Sequence, residues 1–230
     1  RQIHKGDTKV SYVLLKLLYL LKLLYLIFLY LHGMEKCVKR LAVFASGNGS
    51  NAENLLRYFR DNDCGMEVAV IVCNKAGAGV IERAGRLGVP VRVMPAADIR
   101  DPACMLPVMD EYGVDGIVLA GFLLMVPDFL LGRYPDRVVN IHPSLLPKYG
   151  GKGMYGRHVH EAVVAAGERE TGITVHLVTD RCDEGLVLRQ ARVEILPSDS
   201  PETVEAKVHA LEKEHFARAV REYFTGDTGS

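Results

Sequence analysis

Between Leu41 and Ala120, four short apolar runs alternate with amphipathic helical stretches, and this alternation limits the fold more than any other property of the chain. The runs are Leu41 to Ala45, Val68 to Cys73, Val91-Arg92-Val93 and Gly116 to Ala120. A first helix carries Leu55, Leu56 and Phe59 on one face. A second carries Ile81, Ala84 and Leu87 and stops at Gly88, and a third runs through Leu106 to Tyr112 and closes at Gly113. Apolar strands separated by helices predict parallel βαβ units in a doubly wound sheet covered on both faces.

Beyond Val138 the pattern changes. The segment from Pro143 to Gly156, rich in Gly, Pro, Lys and Tyr, predicts loop, and His158 to Ala166 predicts a helix. Thr174 to Val178 and Val187 to Val193 read as strands in antiparallel or mixed pairing. A last helix from Pro201 to about Tyr223 places Val204, Val208, Leu211, His215 and Ala219 on one face.

Residues 10–31 form a Leu/Tyr tract in which the unit LLKLLY occurs twice in tandem. Its length suits a bilayer span, but Lys16 and Lys22 are costly at mid-membrane. Met34, followed by charged residues and then a strand-like run, reads as the start of a soluble enzyme. Residues 1–33 are therefore expected to be an apolar leader outside the fold, with a membrane anchor as the alternative, and 34–230 a single catalytic domain. Lys plus Arg and Asp plus Glu each number 28, which gives no electrostatic case for nucleic acid as a partner. Five cysteines without a C-x-x-C pair argue against a zinc site or a disulfide framework and fit reduced thiols in the cytoplasm.

The candidate chemistry lies at strand ends. Ser46-Gly47-Asn48-Gly49-Ser50-Asn51 joins a strand to a helix, where glycines let a phosphate approach and free N–H groups point at it. The alternative is a plain glycine turn capped by Ser50 or Asn51. The dinucleotide fingerprint fails at Ala52, where its third glycine would fall. In Asn140-Ile141-His142, strand alternation sends Asn140 and His142 to the same side. The amide can donate to an oxyanion, and the imidazole can carry a proton. The other possibility is a core histidine beside a turn asparagine. Asp180, Asp183 and Glu184 share one loop, whose ordinary role would be a solvated acidic turn. His158 and His160 are two apart on a helix and form no metal pair. His209 and Glu212 share a helical face, and spacing alone makes them an exposed polar pair.

From about Lys39 to Tyr223 the chain resembles the folate-dependent phosphoribosylglycinamide formyltransferases. The markers are Ser46 to Asn51, Leu119-Ala120-Gly121-Phe122, Asn140 to Pro147, and Val175 to Asp180 with Asp183. The resemblance implies a Rossmann-like three-layer α/β formyltransferase fold with a mostly parallel central sheet. It implies small-molecule substrates, 10-formyltetrahydrofolate as co-substrate, phosphoribosylglycinamide as acceptor, and neither a metal nor a nucleic-acid partner. Asn140, His142 and Asp183 become the catalytic group, with Asp183 raising the His142 pKa. Gly49, Ser50 and Asn51 would hold the phosphate, and Glu212 the glycinamide end. Leu123, Leu124, Met125 and Val126 would hold the pterin by their backbone, with Asn140 and Arg100 as further folate contacts. Two departures are Asp183-Glu184-Gly185-Leu186, where the family often has Asp-Gly-Gly-Pro, and the segment Gly150 to Gly156, which is shorter in other members. The neighbouring function is formyltetrahydrofolate hydrolysis, with water in place of the amine.

Overall fold

The computed structural model describes residues 16, 18–25 and 38–226. The expectations for residues 1–33 lie mostly outside these; residues 18–25 within that stretch are helical. Among the described residues, no helix is long and apolar enough to cross a membrane. Residues 38–226 belong to one compact unit.

The expected alternation produces seven strands and seven helices in this unit. These are β1 (Lys39–Ala45), α1 (Ser50–Asp61), β2 (Met66–Cys73), α2 (Gly79–Arg86), β3 (Val91–Val93), α3 (Ala96–Arg100), α4 (Pro102–Glu111) and β4 (Gly116–Leu119). There follow α5 (Asp128–Arg133), β5 (Val138–His142), α6 (Arg157–Ala165), β6 (Glu170–Leu177), β7 (Val187–Glu194) and α7 (Pro201–Thr225). They make one sheet of order β3-β2-β1-β4-β5-β6-β7. The first five strands in that order run parallel, β6 pairs antiparallel with β5, and β7 pairs antiparallel with β6.

Strand alternation builds two cores. Leu41, Val43 and Ala45 of β1 face α1, α2 and α7, where Leu55, Val80 and Phe216 are buried with them. Ala42 and Phe44 face the other way, onto Met105 and Met109 of α4 and Leu130 of α5. Helices thus cover both faces of a mostly parallel sheet, the three-layer arrangement expected. The strand order reverses between β1 and β4, which opens a crevice at their C-terminal ends where open α/β sheets take ligands.

Two helices escape sequence periodicity. The α3 helix has five residues and α5 six, too short to display a repeat. The stretch around Leu106 starts earlier than expected, because Asp101 caps α4 through a 2.9 Å bond from Ala103 N–H and Pro102 takes the first turn. On α7 the buried stripe is Val204, Val208, Glu212, Phe216 and Val220. Leu211 and His215, expected on that face, are half-buried beside it.

Candidate active site

A cavity of about 700 Å³ opens over the ends of β1, β4 and β5. It is lined by Gly47 to Asn51, by Leu119 to Val126, by Asn140 to Pro143, and by the Gly151–Gly156 and Thr179–Asp183 loops. From α7, Glu205, His209 and Glu212 close one side. That volume lies in the ordinary range for small-molecule sites.

The glycine loop presents an uncapped helix end. Gly49 has φ +81°, and a Cβ there would lie 2.6 Å from Val80 Cβ, so only glycine fits. No side chain caps α1, which sets aside the turn capped by Ser50 or Asn51. The start of α1 lies at the cavity with no side chain over it, an arrangement whose N–H groups and helix dipole can take an anion. Asn51 instead donates from Nδ2 to Glu212 Oε2 at 3.0 Å. Ser46 fixes the loop from behind: its Oγ donates to Asn74 Oδ1 at 2.6 Å and accepts from Leu123 N–H at 3.0 Å. It thereby links the glycine loop to the Leu123–Val126 segment.

Asn140 and His142 project from the same face of β5, as alternation requires. The cross-strand partner of Asn140 on β6 is His176. His176 Nδ1 donates to the Leu177 carbonyl at 2.7 Å, so its Nε2 is free to accept from Asn140 Nδ2 at 3.1 Å. One amide N–H of Asn140 is thus fixed, and the other is left to donate into the cavity. His142 Nε2 donates to the Tyr149 carbonyl at 2.8 Å, which assigns that proton and leaves Nδ1 as the titrating atom. Nδ1 stands 3.5 Å from Asp183 Oδ2.

Asp183 Oδ2 also accepts from Gly151 N–H at 2.8 Å, while Oδ1 lies 3.6 Å from His176 Nε2. Burial opposes the Asp183 carboxylate, but the Gly151 N–H and the positive charge that the His176 and His142 rings bring when protonated outweigh it and hold the pKa at about 2. Asp183 does raise the His142 pKa, as expected, but the net balance runs the other way. Burial lowers its pKa, and the opposing pull of Asp183 and the Tyr149 carbonyl does not make up the difference. Burial favours the neutral imidazole, because its side chain is only 5% exposed and little water remains to solvate a charge. Tyr149 and Asp183, whose backbones hold these groups, both take positive φ, 56° and 59°. For non-glycine residues that is a strained state, and it recurs where geometry serves function.

Glu212 is 8% exposed rather than solvated, and burial raises its pKa against the lowering effect of Asn51 and His209. His209 keeps the expected exposure. His160 is buried and lines the cavity, whereas His158 points to solvent. Leu123 to Val126 line the cavity, with Leu123 and Met125 exposed there. Arg100 does not. It ends α3, which follows the edge strand β3, two strands away from β1 and outside the cavity lining. Cys182 is exposed, and burial of its sulfur together with the charge of Asp183 raises its thiol pKa, which disfavours a nucleophilic role. Among the described residues, no cluster of His, Cys, Asp or Glu could hold a metal ion. His176 and the Gly151 N–H are the site groups the sequence pattern did not single out; the parity of Thr174 and His176 in their strand is the one signal that points to the former.

A profile of the formyl transferase family matches residues 39–220. Among similar proteins is the chloroplastic phosphoribosylglycinamide formyltransferase of Arabidopsis thaliana, 41% identical over 182 residues that make up 77% of this chain. The chain spans 62% of the length of that plant protein. The phosphoribosylglycinamide formyltransferase of Bacillus subtilis is 34% identical over 80% of this chain and 94% of its own length. The crystal structure of glycinamide ribonucleotide transformylase 1 from Symbiobacterium toebii superposes with a TM-score of 0.75 at 32% identity, covering 82% of this chain and 89% of that one. With the family profile over most of its length and the bacterial relative matched almost end to end, the chain belongs to the formyl transferase family and, within it, to that of the phosphoribosylglycinamide formyltransferases.

Proposed function

We propose that this chain transfers the formyl group of 10-formyltetrahydrofolate to the amine of 5′-phosphoribosylglycinamide, a step of purine synthesis. The observation that carries this reading is one cavity holding both an uncapped glycine loop and the Asn140, His142 and Asp183 group. A phosphate at Gly49, Ser50 and Asn51 anchors the acceptor, and Glu212, held by Asn51, faces its glycinamide portion. The Leu123–Val126 segment offers the apolar wall and backbone groups that suit a pterin.

The donor supplies a carbonyl carbon bonded to nitrogen, open to attack by an amine. The free N–H of Asn140 donates to the carbonyl oxygen as negative charge develops, worth about 3 kcal/mol by comparison with similar donors. His142 Nδ1 takes the proton that the amine loses as its C–N bond forms, and passes it to the leaving nitrogen as the other C–N bond breaks. The net change is one C–N bond formed, one broken and one proton moved. Asp183, ionised at every working pH, stabilises the transient imidazolium. The reading places the enzyme in the cytoplasm, with small-molecule partners; the four described cysteines are unpaired thiols, which suits a reducing compartment.

Absorbance of the folate product, followed with and without phosphoribosylglycinamide, tests the reading. Formyl loss that depends on the amine is expected. Loss at the same rate without the amine identifies a hydrolase and refutes transfer.

A further inference from the structure

Glu53 stands in the first turn of α1, where a negative charge suits the helix end but opposes any anion bound beside it. Two arginines answer this charge. Arg57 reaches back one turn, with Nε and Nη2 3.0 and 2.8 Å from Glu53 Oε1. Arg83, from α2, pairs with Glu53 Oε2 through Nη1. Together they hold the Glu53 carboxyl below the usual carboxylate range.

Arg83 turns its remaining donors onto the glycine loop. Its Nε donates to the Asn48 carbonyl at 2.8 Å and its Nη2 to Asn48 Oδ1 at 3.2 Å. The start of α2 presses on the same residues. Val80 N–H donates to the Gly47 carbonyl at 3.2 Å, and a Cβ on Gly79 would lie 2.9 Å from Asn48 Oδ1. Only a planar fork can serve a carboxylate, a carbonyl and an amide at once, and Arg83 is only 28% exposed where it does so. Arg83 does not line the cavity, so it touches no substrate.

We propose that Arg83 is a positioning residue for the anion site. It fixes the Asn48 peptide so that the N–H groups after it face a phosphate, and it neutralises Glu53 next to that phosphate. This rests on the phosphate site of the proposed function. It predicts a defect confined to the phosphorylated end of the acceptor.

The test titrates ribose 5-phosphate and ribose into the full chain as wild type, Arg83→Gln and Arg83→Lys, followed by calorimetry, with transfer kinetics alongside. Arg83→Gln is expected to weaken ribose 5-phosphate binding about tenfold or more, the scale of a lost charged hydrogen-bond set. The KM for the formyl donor and kcat at saturating acceptor should stay within about twofold. Arg83→Lys keeps the charge without the fork and should fall between, by about threefold or more, which carries the test if the glutamine variant does not fold. Unchanged ribose 5-phosphate binding in these variants overturns the proposal. So does a parallel rise in both KM values with a loss of kcat, which is the mark of general damage. A wild type that binds ribose as well as ribose 5-phosphate also overturns it. If the wild type binds the phosphate, the variants lose it and none transfers formyl to the amine, Arg83 keeps its role and the proposed function fails.

Discussion

Replacing Asp183 by asparagine keeps the shape of the side chain and an oxygen for the Gly151 N–H, but removes the charge beside His142. At the 3.5 Å that separates His142 Nδ1 from Asp183 Oδ2, a full charge pair is worth about 1 kcal/mol at the dielectric of water and about 5 kcal/mol at an effective constant of 20. The two side chains are 5% and 11% exposed, which puts the site nearer the second figure. This interaction is absent while His142 is neutral and present when it carries the amine proton, so its loss falls on turnover rather than binding. Asp183→Asn should therefore lower kcat by about a hundredfold to a thousandfold, with both KM values within about threefold. The pH profile gives an independent readout. Burial already lowers the His142 pKa and Asp183 opposes it, so removing the carboxylate leaves only the Tyr149 carbonyl against burial and moves the acid limb of kcat to lower pH. Steady-state rates from the folate absorbance, taken across the acid range, report both effects. Turnover within tenfold of wild type, or an acid limb displaced upward, would refute the assigned partnership.

The glycine loop and the carboxylate give two further predictions. Gly49→Ala forces φ +81° on a residue with a Cβ and drives that carbon against Val80, so stability should drop by about 1–3 kcal/mol in urea denaturation, with ribose 5-phosphate binding lost; a variant of full stability and affinity contradicts the fit described. Asp183 has a folded-state pKa of about 2 against an ordinary 3.8, so its contribution of about 2 kcal/mol is present above pH 4 and lost as pH falls through about 2. The stability gap between wild type and Asp183→Asn should narrow over that window, and a gap independent of pH would show that the Asp183 charge does not stabilise the fold.

The parallel half of the fold was legible because buried strands leave unbroken apolar runs and the helices between them repeat at a helical period. β1, with Leu41, Val43 and Ala45 on one core and Ala42 and Phe44 on the other, is an example. What the pattern missed depends on contacts distant in sequence. The α5 helix, six residues long, is fixed by Leu130 dropping into the core beneath Phe44, a partner far away in the chain. The apolar stripe of α7 pointed to Leu211 and His215, yet the helix is turned so that Glu212 and Phe216 go inward. A carboxylate in that stripe reads as exposed until Asn51, from the other end of the chain, supplies its hydrogen bond.

The same division runs through the proposed catalytic group. A period of two puts Asn140 and His142 on one side of β5 from sequence alone. No local pattern sets the β5–β6 register that brings His176 opposite Asn140, or the loop path that points Gly151 N–H at Asp183. These two second contacts decide what the first three residues can do. By taking one N–H of Asn140, His176 aims the other; by taking one lone pair of Asp183, Gly151 turns the carboxylate edge toward His142. They also explain why burial outweighs the pull of Asp183 on His142. A site closed tightly enough to orient an amide and a carboxylate excludes the water that would solvate an imidazolium. In the proposed transfer a neutral imidazole meets the amine, free at Nδ1 to accept its proton, and Asp183 acts on the charged state that follows. In that proposal burial and the acidic partner work at different moments, the first making His142 a base and the second making its protonated form stable enough to use.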